Sequence, residues 1–460
     1  MQGQNVACYI HLFMRQSVRS KLIQIVLLFA IPSSCMHAQF NFMLGYADMR
    51  EAKIWLGNNR YTRARIYYRE LGDTLSQEKV IFTTLDSSNR FTATAVLFPL
   101  KPGTTYIYRV EAKDEQSSIL LDKKNYTFRT QALWQFRSEP PAFTLATGSC
   151  AFINVPELDR PGDPFGGEYQ IYQRIAEQQP NLMLWLGDNI YLREADYNCH
   201  MCIDERYLHT RSIPEMQDLL HSVSNVAIWD DHDFGPNDAD GSYIHKDWTL
   251  DAFRRFWANP SYGVAGSDAA EGITGYLPYS DVGIYLLDNR YHRTSADTLD
   301  NMQPTILGED QLQWLFQSLK KSKASFKIIA LGGQFLNTET YPENYSTYPA
   351  ERQRILQFLN DEKIDNVIFL TGDRHCGELS SLTLPNGTVV YDLTVSPLTS
   401  RSFDISKEKN TCRVEGTLVN KRHFATLEFT GPIKARQVKI HVFDANGVEQ
   451  YTKSIQRFVR

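Results

Sequence analysis

The clearest indication of the fold is Leu182-Met183-Leu184-Trp185-Leu186-Gly187-Asp188-Asn189-Ile190-Tyr191, because five apolar residues pass directly into a turn with polar side chains. A short apolar run bounded by turn residues is typical of a strand buried in a parallel sheet. Similar runs occur at residues 143–147, 226–229, 284–287, 326–331 and 367–370. Apolar residues at helical spacing lie between several of them, at 169–175 and 312–319. This alternation predicts an α/β domain over residues 142–460.

Two other regions of the chain have β-type patterns. In residues 39–132, short β-type runs alternate with turn residues, which predicts a β-sandwich. Tyr106 within this region resembles the corner tyrosine of fibronectin type III domains, so we expect a fibronectin III/Ig-like N-terminal domain. The C-terminal runs at 389–393, 425–429 and 438–443 are β-rich again, and we expect them to complete a second sheet.

Residues 1–38 have the features of an export signal. Basic residues between 15 and 21 precede an apolar stretch, 22–31, that is too short to span a bilayer of about 30 Å. We therefore expect cleavage near Ala38, a periplasmic or secreted protein, and no transmembrane span after signal removal. A lipid anchor at Cys35 and an uncleaved membrane anchor are the alternatives.

The composition excludes one broad class of partner. The 460 residues include 48 basic and 53 acidic side chains, which gives a formal net charge of −5. Such a chain has no bulk positive charge for a polyphosphate backbone, so we do not expect nucleic-acid binding by bulk charge. Hydrophobic residues at 42% and charged residues at 22% are typical of a globular protein, which we expect to be a monomer.

The cysteines that follow the export signal are Cys150, Cys199, Cys202, Cys376 and Cys412. An odd number of cysteines cannot all pair, so at least one thiol stays free. Cys199 and Cys202 could form a disulfide in an oxidising compartment, but a single C-x-x-C is equally compatible with zinc.

Polar side chains follow the predicted strands at the points where the apolar runs end. These sequences are Gly148-Ser149-Cys150, Gly187-Asp188-Asn189-Ile190-Tyr191, Asp230-Asp231-His232-Asp233, Gly332-Gly333-Gln334 and Thr371-Gly372-Asp373-Arg374-His375-Cys376. Sheets of α/β proteins present ligands at the carboxyl ends of their strands. Converging carboxylates repel one another unless a cation holds them together. A glycine–aspartate pair alone is common in turns, but the joint pattern predicts a metal site.

These motifs, together with Trp229-Asp230-Asp231-His232-Asp233-Phe234-Gly235-Pro236-Asn237-Asp238, resemble those of the alkaline phosphatase D family of calcineurin-like metallophosphoesterases. The resemblance runs from about Phe143 to the C-terminus, and a fibronectin-like N-terminal domain is also typical of the family. It implies a four-layer α/β/β/α sandwich as the catalytic fold. It also implies a metal centre that combines ferric iron with calcium, although other divalent metals remain an alternative.

The resemblance implies a set of metal ligands at the strand ends. Cys150, Asp188 and Tyr191 match the family's iron ligands, and Asp188 is expected to bridge to the neighbouring ion. A phenol ionises at neutral pH only beside a strong Lewis acid such as ferric iron. Without a metal, Tyr191 would simply pack under its loop and Cys150 would be a small buried hydrophobe.

A second metal is expected beside the first. Asp231, Asp373 and His375 are expected to bind it, and oxygen-rich donors suit calcium. Asn237 is a further candidate ligand. Gly-Ser-Cys replaces the opening Asp-x-His of simpler metallophosphoesterases, and Gln334 stands where a lone histidine often binds metal, so the ordinary dimanganese or dizinc mechanism does not transfer.

Three residues are candidates for catalytic roles rather than metal binding. His232 is expected to donate a proton or a hydrogen bond to the phosphoryl group, although a satisfied core histidine is the alternative. Asn189 is a candidate phosphate donor. Arg290 is expected either to contact phosphate or to form a salt bridge with Asp288.

The sequence therefore predicts an exported phosphoric-ester hydrolase in which a metal-activated hydroxide attacks phosphorus. The alternative is a catalytically degenerate cell-surface binding protein whose fibronectin-like domain does the recognition. Phosphoric monoesters and diesters are both candidate substrates. The aromatic stretch 238–280 forms either a lid over a small-molecule site or an insertion packed on the body.

Overall fold

The structure is a computed structural model that describes residues 40–58, 62–73, 77–113, 118–120, 124–264, 266, 271–296 and 303–459. The predicted export signal, including Cys35, lies outside the described residues. The described residues form one compact unit. Within the described ranges, no helix has the length and apolar character needed to cross a bilayer.

The strands have the following bounds. They are β1 (Phe40–Ala47), β2 (Ala52–Asn58), β3 (Arg63–Glu70), β4 (Lys79–Thr84), β5 (Thr92–Leu97), β6 (Thr105–Lys113), β7 (Ser118–Leu120), β8 (Tyr126–Arg129), β9 (Phe143–Gly148), β10 (Leu182–Leu186), β11 (Ser224–Ile228), β12 (Gly275–Tyr279), β13 (Val282–Leu286), β14 (Phe326–Ala330), β15 (Val367–Thr371), β16 (Gly377–Thr383), β17 (Val389–Val395), β18 (His423–Thr430), β19 (Gln437–Asp444) and β20 (Glu449–Gln456).

The helices alternate with these strands in the second part of the chain. They are α1 (Ile171–Glu177), α2 (His200–Thr210), α3 (Gln217–Ser222), α4 (Asp231–Phe234), α5 (Lys246–Phe256), α6 (Glu309–Lys321) and α7 (Pro349–Asp361). The two helices predicted from apolar spacing correspond to α1 and α6. The alternation confirms a mixed α/β fold.

The N-terminal region consists of antiparallel strands in two sheets that share a hydrophobic core. One sheet has the order β1-β2-β5, and the other has the order β4-β3-β6-β7, with β8 also paired to β6. The corner tyrosine is confirmed, since the Tyr106 hydroxyl accepts a hydrogen bond of 2.8 Å from the Lys101 backbone N–H. This bond joins the start of β6 to the turn before it.

Two six-stranded sheets form the body. The first has the order β11-β10-β9-β18-β19-β20, in which β9, β10 and β11 are parallel. The second has the order β12-β13-β14-β15-β17-β16, in which β13, β14, β15 and β17 are parallel. In each sheet the parallel strands therefore end at a common edge.

The C-terminal strands correct one expectation. Only β17 and its hairpin partner β16 belong to the second sheet, whereas β18 pairs antiparallel with β9 and extends the first sheet through β19 and β20. The physical reason is core packing. Phe429 of β18 stacks on Phe143 of β9, with ring centroids 4.7 Å apart, and meets Phe326 of the second sheet at 5.7 Å.

The core lies between the sheets and under the helices. Apolar side chains of both six-stranded sheets, of α1 to α3 and of α5 belong to one cluster. Helices α6 and α7 cover the second sheet through a separate cluster. The N-terminal region packs on this body, because Met43, Tyr46 and Trp55 belong to the main cluster and the Trp55 Nε1–H donates to the Arg255 carbonyl oxygen at 2.8 Å.

Candidate metal centre

The predicted donors lie on loops that follow strands of both sheets. Cys150 follows β9, Asp188 and Tyr191 follow β10, and Asp231 and His232 belong to α4, directly after β11. Asp373 and His375 follow β15 of the second sheet. The thiol, carboxylate and imidazole donors among them, together with Asp230, form three overlapping groups, each with ligand atoms within 4.8 Å of one another.

The first group contains Cys150, Asp188 and His375. The Cys150 thiol lies 3.4 Å from Asp188 Oδ2, and the Tyr191 hydroxyl lies 3.1 Å from the same oxygen and 3.3 Å from His375 Nε2. His375 Nδ1 lies 2.6 Å from the Arg401 carbonyl oxygen. A proton on Nδ1 leaves the Nε2 lone pair facing the group, as in metal-binding histidines.

The other two groups continue from the first. The second contains Asp188, Asp231 and His232, and the third contains Asp230, Asp231 and Asp373. Asp188 and Asp231 each belong to two groups, so the donors form a continuous cluster. The expected role of Asp188 as a bridge between two ions stays a prediction.

His375 corrects the expected division of ligands, because it groups with Cys150 and Asp188 rather than with Asp231 and Asp373. Both Asp373 and His375 have a positive φ, at 66° and 52°. The resulting turn directs two side chains that are only two residues apart to different ends of the cluster.

The backbone at the cluster adopts a conformation that is unfavourable for most residues. Cys150 and Asp188 have φ values of 59° and 50°, and Asp373 and His375 share this left-handed region. Such conformations cost on the order of 1–3 kcal/mol each and concentrate at functional sites. The strain directs short side chains inward over the strand ends.

Two glycines allow the loops to approach each other. At Gly187, with a φ of 95°, an added Cβ would lie 2.6 Å from Asp230 Cβ and 2.8 Å from the Asp230 backbone nitrogen. At Gly332, an added Cβ would lie 2.4 Å from Asp230 Oδ2. A side chain at Gly187 or at Gly332 would push its loop away from the loop that carries Asp230.

The electrostatics of the cluster favour bound cations. Burial and the neighbouring carboxylates raise the pKa of Asp188 and of Asp373 well above the usual range. Burial and the charge of Asp188 likewise raise the pKa of the Cys150 thiol. These ligands ionise together only beside a compensating positive charge.

Buried ligand atoms that have no hydrogen-bond partner also indicate that the cluster suits metal ions. Buried ligand atoms without a hydrogen-bond partner include one oxygen each of Asp230, Asp231 and Asp373, together with His232 Nδ1. Leaving buried polar atoms unpaired is costly, and bound cations would satisfy the carboxylate oxygens. Asp230 was not predicted as a ligand, although its position directly after a strand was the available signal.

Asp231 differs from the other carboxylates of the cluster. Burial raises its pKa, but His232, Arg290 and the Asp238 backbone N–H, which donates at 2.8 Å, together lower that pKa to about 2. Asp231 is therefore the carboxylate most firmly held in the ionised form.

Arg290 lies beneath the cluster, with no part of its side chain exposed. Its guanidinium pairs with Asp230 at 2.5 Å, with Asp231 at 3.7 Å and with Glu343. The alternative of a salt bridge with Asp288 is wrong, because Asp288 Oδ1 instead accepts hydrogen bonds from the backbone N–H of Arg290 and from the Trp229 indole. The other alternative, a contact between Arg290 and phosphate, stays a prediction. Glu343 had no motif that could have revealed it.

The other predicted residues lie around the cluster. The Asn189 side-chain nitrogen donates to Asp233 at 3.1 Å and to the Ile228 carbonyl oxygen at 2.8 Å, and its role as a phosphate donor stays a prediction. Asn237 is exposed on the loop after α4, and its role as a ligand stays a prediction. Gln334 is buried and donates to Glu378 at 2.8 Å.

The cysteines outside the cluster divide into two kinds. Cys199 and Cys202 form a disulfide at the start of α2, which resolves the alternatives left by their spacing. Cys376 and Cys412 are free thiols.

The described part of residues 238–280 packs on the body. Phe253, Phe256 and Trp257 belong to the main hydrophobic cluster. These side chains therefore pack the insertion on the body, which is one of the two expected alternatives, rather than form a lid.

This chain resembles known proteins in its sequence. The profile of the PhoD-like phosphatase family matches residues 145–439. Alkaline phosphatase D of Bacillus subtilis (strain 168) is 25% identical over 328 residues, a match that covers 62% of this chain and 53% of that protein. The chain thus spans about half the length of this curated relative.

Solved structures agree at the level of the fold. A structure of PhoD has a TM-score of 0.71 at 17% identity and covers 91% of this chain and 92% of its own. A purple acid phosphatase from yellow lupin (Lupinus luteus) seeds has a TM-score of 0.65 at 11% identity and covers 90% and 74%. Together with the profile match over most of the body, this identifies the chain as a member of the PhoD-like phosphatase family.

Proposed function

We propose that this protein is an exported, metal-dependent hydrolase of phosphoric monoesters or diesters. The observation that supports this most strongly is the convergence of buried thiol, phenol, imidazole and carboxylate donors at the strand ends. Family membership agrees with this chemistry. The donors present argue against the degenerate binding protein.

The donor chemistry supports a mixed metal centre. Cys150, Asp188, Tyr191 and His375 would hold ferric iron, because thiolate, phenolate and imidazole suit a transition metal. Asp230, Asp231 and Asp373 would hold calcium, because their donors are oxygens. Asn237 is proposed as a further calcium ligand from its position on the adjacent loop. Bound there, the ions would supply Lewis-acid activation of water and neutralise phosphoryl charge.

The chain's own residues would orient the ester and manage the proton. A water oxygen would bond to phosphorus as the ester P–O bond breaks, and the leaving oxygen would take a proton from His232, whose Nδ1 is buried without a partner. His232 would then regain the proton that the attacking water gives up. Arg290 would act as a positioning residue by holding Asp230 and Asp231. Asn189 would position the loop of Asp188 through its bonds to Asp233.

We also propose the finer architecture expected from the family. The two body sheets would be the inner layers of a four-layer α/β/β/α sandwich, consistent with the cores on both sides of the second sheet. Residues 39–132 would be a fibronectin III/Ig-like domain and residues 142–460 the catalytic domain. Export through residues 1–38, with release or anchoring at Cys35, completes the proposal.

The test measures release of product from an aryl phosphate and from an aryl phosphodiester by the purified protein. The Asp231→Asn and His232→Ala variants should each lose about 100-fold or more in kcat, because they remove an ionised ligand and a proton donor. Asp240→Asn is the matched control and should keep full activity, because Asp240 is half-buried in the loop after α4 and its carboxylate accepts hydrogen bonds from Ser242. Undiminished turnover in both site variants would refute the assigned roles. The ratio of activities on the two esters would assign the substrate class.

A further inference from the structure

Arg211 is a buried arginine that has no acidic partner. It directly follows α2, its residue is 2% exposed, and its guanidinium lies over the rings of Trp55 at 4.3 Å and Trp257 at 4.6 Å. Nη1 and Nη2 are both buried and have no hydrogen-bond partner. Among the described residues, no carboxylate lies within ion-pairing distance of this side chain.

The side chain of Arg211 lines a small, partly open cavity. The cavity has a volume of about 10 Å³, which is room for a single water molecule or monatomic ion. Tyr207, Trp257 and Asn189 also line it. The Tyr207 hydroxyl, the Trp257 indole nitrogen and Asn189 Oδ1 are likewise buried and make no hydrogen bond of good geometry.

The balance of groups around the cavity favours a negative occupant. The two terminal guanidinium nitrogens, the hydroxyl and the indole all offer N–H or O–H donors, whereas Asn189 Oδ1 is the one unpartnered atom among them that only accepts. The guanidinium stays protonated at neutral pH, since burial lowers the pKa of Arg211 only to about 9. Four nearby ring faces, those of Trp55 and Trp257 being the closest, offset only part of the cost of burying that charge.

Asp233 does not fulfil the role of a counter-ion. Its charge acts on Arg211 from a distance, but its carboxylate oxygens accept hydrogen bonds from Asn189 and from the Asp230 backbone N–H. We propose that the cavity binds one monovalent anion of the size of chloride, held by the Arg211 guanidinium and the donors of Tyr207 and Trp257.

The site would have a structural role that is independent of the proposed ester hydrolysis. Asn189 lines the cavity and follows the metal-facing Asp188 in the chain. Asn189 is also bonded to Asp233 of α4. A bound anion would therefore neutralise the charge beneath the loop that carries Asp188.

Diffraction from crystals of the full chain grown in sodium bromide tests the proposal directly. A bromine anomalous peak between Arg211 and Trp257 is expected. A water-sized peak without anomalous signal at that position would overturn the proposal in favour of a buried water. This measurement needs no variant, so it stands even if substitution of Arg211 impairs folding.

The thermal unfolding midpoint in chloride and in gluconate, at fixed ionic strength, provides a second test. Chloride should raise the midpoint of the unsubstituted protein by about 2 °C or more in a saturable manner. R211M should lose this shift. R255M should keep it, because Arg255 also lies near Phe256 but pairs with Asp204 and Asp251. An unchanged midpoint in the unsubstituted protein, or equal loss of the shift in R255M, would contradict the proposal.

Discussion

The buried guanidinium of Arg290 joins two loops that carry acidic side chains. Its guanidinium pairs with Asp230 and Glu343, and its side chain is fully buried. We predict that Arg290→Met lowers the free energy of unfolding by about 3–5 kcal/mol, because it leaves the buried Asp230 carboxylate without its counter-charge and leaves Glu343 with Arg293 alone. The control is Arg354→Met, which removes an exposed pair with Glu309 and should cost about 1 kcal/mol or less. Equal losses in urea unfolding would contradict the assigned role.

The buried His423 side chain should make the free energy of unfolding depend on pH. Its ring is fully buried, Nδ1 lies 2.8 Å from the Lys421 carbonyl oxygen, and burial lowers its pKa from 6.5 to about 4. Because the unfolded chain takes up the proton first, the stabilisation is fully present above about pH 6.5 and is lost as the pH falls towards 4.

The measurement compares the unsubstituted protein with His423→Gln. Between pH 7.5 and 4.5, the unsubstituted protein should lose roughly 2–3 kcal/mol more of its free energy of unfolding than the variant. Parallel pH profiles of the two proteins would show that this histidine does not titrate as proposed.

At the scale of the elements, a strand end and a turn set the position of Asp188. Gly187 has a φ of 95° and no space for a Cβ against Asp230, whereas Gly72 has a φ of 88° with no atom within 4 Å of the added Cβ. Alanine at either position carries a strain of about 1–2 kcal/mol. We predict that Gly187→Ala costs a further 1–3 kcal/mol or so and also lowers the metal content, because the steric overlap displaces Asp188.

Gly72→Ala is the control, because it introduces the backbone strain of a positive φ without a steric overlap. It should leave the metal content unchanged. Unfolding in denaturant together with elemental analysis of both variants checks this prediction. If both variants lost the same stability and kept their metal, the close approach of the two loops would have no functional importance.

Strands are the elements that the sequence predicts best. The run at 182–186 matches β10 to the residue, since a strand buried on both faces needs a continuous apolar run. The sheet that β18 joins is not predictable in the same way, because its apolar residues suit either core. Pairing with β9 depends on contacts such as that between Phe429 and Phe143, far apart in the chain.

The candidate site is predictable in its residue types but not in its grouping. Seven donors follow from their positions after strands and from the family resemblance. The placement of His375 beside Cys150 depends on backbone angles that the sequence does not encode locally. The pairing of Arg290 with Glu343 joins residues 53 positions apart on different loops, so no local pattern indicates it.

At the scale of the whole molecule, the N-terminal region contributes to the core of the body. Trp55 is fully buried in the main cluster and donates to the Arg255 carbonyl oxygen. We predict that Trp55→Ala lowers the free energy of unfolding by about 3–5 kcal/mol, because it leaves a large cavity at this contact. Phe82→Ala, on the exposed surface of the same region, should change stability by about 0.5 kcal/mol or less. Similar costs in both variants would mean that the contact contributes little.

The most direct test of the metal centre is the dependence of phosphate-ester hydrolysis on bound metal. Protein stripped by a chelator should be inactive and should regain turnover in proportion to the metal that it binds, whereas Asp188→Asn should regain none. Full turnover by the stripped protein would contradict the account.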